Sequence, residues 1–166
     1  MNLQDIQLIY EYNYWASGKI LTSASKVKQE QFLAPASFPY GGLRGTILHI
    51  LDAEYGWRGL FESNVFSTEL KADAFSTFQS VENKFHEEEK SMRAYLNRLT
   101  DEDMTSHMKY ITDEGLTRDR ILWHCLLHVV NHGTQHRSEA AALLTDFGNS
   151  PGDLDFTAFL NEYKKS

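Results

Sequence analysis

The chain of 166 residues carries 16 Lys and Arg against 23 Asp and Glu, a formal net charge of -7 that supplies no attraction to a phosphate backbone. A hydrophobic fraction of 42% with only three prolines excludes a long disordered or collagen-like chain, and the length predicts one domain over 1–166. There is no apolar run of about 18 residues, the start MNLQDIQLIYEYNYW has no basic n-region or cleavage site, and Cys125 has no second cysteine to pair with. A soluble, cytoplasmic protein with no nucleic-acid and no membrane partner is therefore expected.

Helical spacing of Leu3, Ile6, Tyr10, Tyr14 and Leu21 predicts a first helix over Leu3–Val27. Pro35, Pro39, Gly41 and Gly42 mark a connecting loop from Lys28 to Tyr40. A second helix over Gly42–Ser63 follows, with Leu43, Ile47, Leu48, Leu51, Tyr55 and Leu60 on its inward side. Ser76 and Gln79 have capping-box spacing and open a third helix through Phe78, Val81, Phe85, Met92, Leu96 and Leu99, on which HEEEK at 86–90 reads as a solvated face. Between Thr100 and Gly115 the helical period stops, Met108, Tyr110 and Ile111 approach alternation, and Asp113, Glu114 and Gly115 signal a turn, so a short strand or hairpin is expected. Thr117 caps a fourth and longest helix ending near Phe147, where Gly148 suits a left-handed C-terminal position and Pro151 follows. Asp153–Tyr163 reads as a short final helix. The fold class is all-α.

Seven histidines are present, and the fourth helix sets His124, His128, His132 and His136 at intervals of four. Each step turns the helix by about 400°, so successive rings drift by about 40°: neighbours share a face, while the ends of the row lie about 120° apart. A neighbouring pair can bind one metal ion, and a third ligand must then come from another element. His49, flanked by apolar residues in GTILHILDAEYGW, is the best candidate. The competing reading is that these imidazoles only pack and hydrogen-bond in the core. His86 and His107 have polar surroundings and receive no role. The chain contains no His-Glu-x-x-His, Glu-x-x-His, Cys-x-x-Cys, G-x-S-x-G, P-loop or G-x-G-x-x-G motif, which leaves a mononuclear histidine site.

YNYWA at 12–16, HILDAEYGW at 49–57, LLHVVNHGTQHRSE at 126–139 and PGDLDFTAFL at 151–160 together resemble the DinB/YfiT-like family across nearly the whole chain, NHGTQHR most strongly. The resemblance implies a four-helix bundle, here with a short irregular or hairpin insert before the fourth helix. It also implies a divalent metal held by His49, His132 and His136, with His128 outside that set, and a homodimer. Similar sequences often continue HRGQ where this chain has His136, Arg137, Ser138 and Glu139, so Glu139 orients a ligand histidine, alters the polarity of the pocket or faces solvent. The family name refers to DNA-damage induction, not to polymerase activity.

Three neutral imidazoles leave a divalent ion its charge and an open position, which suits activation of a thiol or of water. Some members of the superfamily resemble transferases that use low-molecular-weight thiols. Thiol transfer to a small electrophile is therefore the preferred reading, with metal-dependent hydrolysis or a non-catalytic metal-binding stress-response protein as alternatives. Zinc is the default ion, and nickel, iron and copper also accept imidazole. No general base stands out, because Asp52 and Glu54 read as surface carboxylates, Asp52 also being able to support a ligand. Tyr12, Trp15, Tyr55 and Trp57 read as core or pocket wall, and Arg137 as a surface ion pair or a substrate-carboxylate contact.

Overall fold

The computed structural model describes residues 1–112 and 114–163. Asp113 of the expected turn and the last three positions of the predicted domain lie outside the described residues. The chain is mostly helical with a small two-stranded sheet. In chain order it runs α1 (Leu3–Ala24), α2 (Gln29–Leu33), α3 (Leu43–Ser63), α4 (Phe78–Leu96), β1 (His107–Ile111), β2 (Thr117–Ile121), α5 (Leu122–Asp146) and α6 (Phe156–Glu162). Among the long helices, α5 packs on α1 and α3, and α4 packs on α3 and α1.

Local chemistry explains most of these boundaries. A capping box opens α1: the Asp5 N–H donates to Asn2 Oδ1 at 2.8 Å and the Asn2 N–H to Asp5 Oδ2 at 3.1 Å. At α4 the cap is Thr77, one residue later than the spacing of Ser76 and Gln79 predicts. The Ser80 N–H reaches Thr77 Oγ1 at 3.2 Å, while the Gln79 amide donates forward to Glu82 and Asn83. Gly148, at φ 77°, ends α5 as expected: its N–H bonds the Thr145 carbonyl and the Asn149 N–H bonds the Leu144 carbonyl, a Schellman arrangement.

Three further expectations fail. Thr117 does not cap the long helix, because Thr117–Ile121 pairs antiparallel with His107–Ile111 and α5 starts only at Leu122. Cross-strand pairing satisfies the facing backbone groups of both strands, and the Leu122 N–H bonds the Ser106 carbonyl where the hairpin joins the helix. The loop from Lys28 holds a one-turn helix, α2, that buries Phe32 edge-on against Phe78. HEEEK is not uniformly solvated: Glu88 is buried and accepts from Arg58 Nε and Nη2 at 2.5 and 2.9 Å, tying α4 to α3.

Two apolar clusters fill the interior, one around Ile6, Tyr10, Met92, Leu126 and Phe159, the other around Ile20, Leu43, Ile47, Leu51, Val81 and Leu144. The segment entering α3 lies tight against its first turn. Gly41 has φ 80°, and the Tyr40 carbonyl oxygen sits 1.8 Å from where a Cβ on Gly45 would be. Gly45→Ala must displace Tyr40, so a loss of about 1–3 kcal/mol in urea unfolding is expected, the range for overpacking. An unchanged midpoint would show that this loop has room to give.

Candidate metal centre

His49 lies at the end of the second turn of α3, on the side facing α5, between the buried residues Leu48 and Ile50. His132 and His136 lie one turn apart on α5, the helix packed against it. The structure brings these three rings together. His49 Nε2 and His132 Nε2 are 3.0 Å apart, ring centroids are 4.5–4.7 Å apart in all three pairs, and one nitrogen from each ring lies within 4.8 Å of the others. Tetrahedral coordination at about 2.0–2.1 Å per nitrogen needs nitrogens roughly 3.3 Å apart. The observed spread fits one ion with small side-chain rotations.

The surroundings favour neutral, correctly turned imidazoles. Burial and the neighbouring His136 ring hold His49 down at about 4, and burial followed by His49, His136 and His128 holds His132 at about 4. Both rings therefore offer lone pairs at neutral pH. His136 is buried, and its Nδ1 lies 2.8 Å from Glu139 Oε2, which keeps the proton on Nδ1 and leaves Nε2 free to ligate. Glu139 thus takes the orienting position among those that its sequence allowed. His132 Nδ1 is buried with no hydrogen-bond partner among the described residues.

Other histidines stay out of the cluster. The His128 ring is 6.0 Å from that of His132 and packs edge-on against Trp57, while His124 sits against Trp123. His86 and His107 are exposed, and His107 pairs with Asp119. Asp52 does not support a ligand: it accepts from the Leu70 N–H at 2.7 Å and pins the segment after α3.

Sequence reading misplaced two charges. Glu54 and Arg137 are not on the surface: both are buried, in a polar network spanning α1, α3 and α5. Glu54 accepts from Tyr14 Oη at 2.7 Å and Asn13 Nδ2 at 3.0 Å. The Arg137 guanidinium donates to Asn13 Oδ1, to Ser17 Oγ at 3.3 Å and to Thr134 Oγ1 at 2.9 Å. Gly133 makes this possible, because a Cβ there would lie 2.8 Å from Arg137 Nη1 and 3.2 Å from Asn13 Oδ1. Burial pushes Glu54 up to about 7 against the opposing pull of its hydrogen bonds and of Arg137. Tyr40 was missed altogether. Its ring stacks on His49 at 3.5 Å and 13° and meets His136 edge-on at 5.1 Å; an aromatic residue directly before Gly41 and Gly42 was the available signal.

Fold and cluster define a helical protein with a three-imidazole donor set shared by two packed helices. The DinB family profile matches residues 1–165, and the chain belongs to the DinB family. It is 24% identical over 159 residues to Protein DinB of Bacillus subtilis (strain 168), an alignment covering 92% of this chain and 91% of that protein.

The titration of this cluster has a definite sign. Between about 6.5 and 4 the folded chain binds fewer protons at His49 and His132 than the unfolded chain, so these groups withdraw stability as pH falls through that window. Glu54 acts oppositely: between 4.5 and about 7 its folded form holds more proton, and its contribution falls as pH rises. Chelator-treated protein is expected to lose more stability between pH 6.5 and 4 than a His49→Gln, His132→Gln double variant in the same buffers. Equal losses by urea titration would show that neither ring is held neutral.

Proposed function

We propose that His49, His132 and His136 hold one divalent metal ion in a four-helix bundle of the DinB type, and that the protein uses it to transfer a small thiol to an electrophile. Convergence of the three imidazole donors, with Glu139 behind His136, is the observation that carries this reading. A bound divalent ion supplies Lewis acidity, which favours the deprotonated form of a thiol placed at its open position. Zinc is the first candidate, with nickel and iron next, since all accept imidazole. The site is proposed to work in the cytoplasm, in a homodimer.

The chain's own thiol does not serve as nucleophile. Cys125 is buried and its thiol is pushed up by burial, so the attacking sulfur belongs to a low-molecular-weight thiol cosubstrate. In the transfer, a sulfur–carbon bond forms, the carbon–leaving-group bond breaks with its electron pair departing on the leaving group, and the thiol proton ends on that group or on solvent. His49 and His132, held neutral, keep their nitrogens available throughout. Tyr40, stacked over His49, shields one side of the cluster from water.

Protein purified without a histidine tag is expected to contain about one divalent ion per chain by elemental analysis and to accelerate conjugation of cysteine to 1-chloro-2,4-dinitrobenzene. His132→Ala should lose both the ion and the acceleration, and Glu139→Gln should weaken metal affinity by about 10–100-fold in competition with a chelating dye. Ester hydrolysis without any thiol requirement would replace transfer by hydrolysis. Stoichiometric metal without turnover would leave a binding protein, and protein indifferent to chelators would leave only a packed histidine cluster.

A further inference from the structure

Beside the histidine cluster lies a cavity of about 300 Å³, lined by Trp57 from α3, Tyr110 from β1, Arg120 from β2, and His124, Cys125 and His128 from α5. It adjoins the cluster through His128, whose ring packs on Trp57 at 5.2 Å and lies 6.0 Å from that of His132. Trp57 and Tyr110 meet edge to face at 5.5 Å, which makes two walls flat and apolar. The volume is at the lower end of small-molecule sites.

The hairpin register decides what charge faces this space. Met108 pairs with Arg120 and Tyr110 with Arg118, so these four residues share one face of the ribbon, whereas His107, Lys109 and Asp119 share the other. Met108 is buried, which identifies its face as the one turned to the helices, with Arg120 exposed at the rim of that face. Asp119, the acidic residue between the two arginines, points away and pairs with His107 at 2.6 Å. Arg120 takes no carboxylate among the described residues; its guanidinium contact is the Asp119 carbonyl at 3.1 Å. Cys125 and Tyr110 both feel the Arg120 charge, in keeping with its place at the cavity. A guanidinium beside aromatic walls suits a planar carboxylate: the fork grips the anion and the rings cover the flat part.

We infer that this cavity is the electrophile subsite and that it takes a small planar organic carboxylate, held by Arg120 and resting in the corner formed by Trp57 and Tyr110. The inference rests on the thiol-transfer reading for the word electrophile, but the binding itself needs neither thiol nor turnover. Benzoate, benzamide and benzylammonium serve as anionic, neutral and cationic probes of one shape, titrated by calorimetry into the full-length, metal-containing protein. Benzoate is expected to bind at least about tenfold more tightly than either of the others, the change that one charge-assisted contact of about 1.4 kcal/mol produces. Arg120→Gln should remove that preference and leave benzamide unchanged, Trp57→Leu should weaken both, and His132→Ala should retain benzoate binding.

If Arg120→Gln keeps full benzoate affinity while His132→Ala loses it, the carboxylate sits on the metal and the inference is overturned. Equal binding of all three probes, or of none, also overturns it and leaves Arg120 as an exposed charge that only protects the hairpin edge. Benzoate selectivity without thiol conjugation would sink the transfer reading and spare the anion site. Conjugation without benzoate selectivity would do the reverse.

Discussion

His49 and His132 are 83 positions apart in the chain, yet their Nε2 atoms are 3.0 Å apart, and everything proposed for this protein depends on one register of α3 against α5. Sliding either helix by a residue moves its side chains by about 1.5 Å and turns them by about 100°. A single step would carry a ring out of reach of a shared ion. Apolar contacts between Ile47, Leu48 and Leu51 of α3 and Ala140, Leu143 and Leu144 of α5 supply much of the attraction between the helices. Apolar packing alone discriminates weakly among neighbouring registers, because one branched side chain can replace another at modest cost.

The buried polar network supplies the sharper constraint. Arg137 stays charged at any accessible pH and is shut away from water, so its donors must be answered by Asn13, Ser17 and Thr134. Shifting α5 against α1 would strip this buried charge of Asn13 and Ser17, at a cost of several kcal/mol. Asn13 presents its oxygen to Arg137 and its amide nitrogen to Glu54, and so fastens α3 to the same arrangement. Because Arg137 directly follows His136, and Glu54 lies five residues after His49, the clamp and the histidine cluster use adjoining stretches of the same two helices. Three of the four segments that carry the family resemblance, those around Asn13, Glu54 and Arg137, meet here.

Residues whose role follows from local periodicity were legible in the sequence. Four long helices, the C-terminal stop at Gly148 and the pairing of His132 with His136 on one face all follow from spacing and backbone conformation. Singling out His49 needed only an imidazole among apolar neighbours, but preferring His132 and His136 to another neighbouring pair needed the family resemblance. Placing Glu54 and Arg137 failed because helical angles are measured from a neighbour's side chain and do not say which partners surround a helix. Here α3 is flanked by both α4 and α5, and α5 by both α1 and α3, so wide arcs of each are covered. Thr117 misled for a different reason: a residue with good capping chemistry forms a strand when a pairing partner, His107–Ile111, lies close by in the chain. Tyr40 carries no periodic signal, since its position is set by glycines that let its backbone approach α3.

The row of four histidines on α5 shows how one helix serves two environments. Spacing by four makes the row precess by about 40° at each step, so it does not stay on one face. At the C-terminal end His136 and His132 point toward α3 and meet His49. One step back, His128 has rotated to the edge of the cluster and rests on Trp57; one step further, His124 has left it and lines the cavity under the hairpin. Tyr40 covers the other side of the cluster through its stack on His49. The donor set is therefore screened on one flank by an aromatic ring held by glycines, and on the other it grades into a cavity whose walls are aromatic and whose nearest fixed charge is positive. The hairpin flank thus sets Arg120, Trp57 and Tyr110 beside His128, one step along the row from His132 of the cluster.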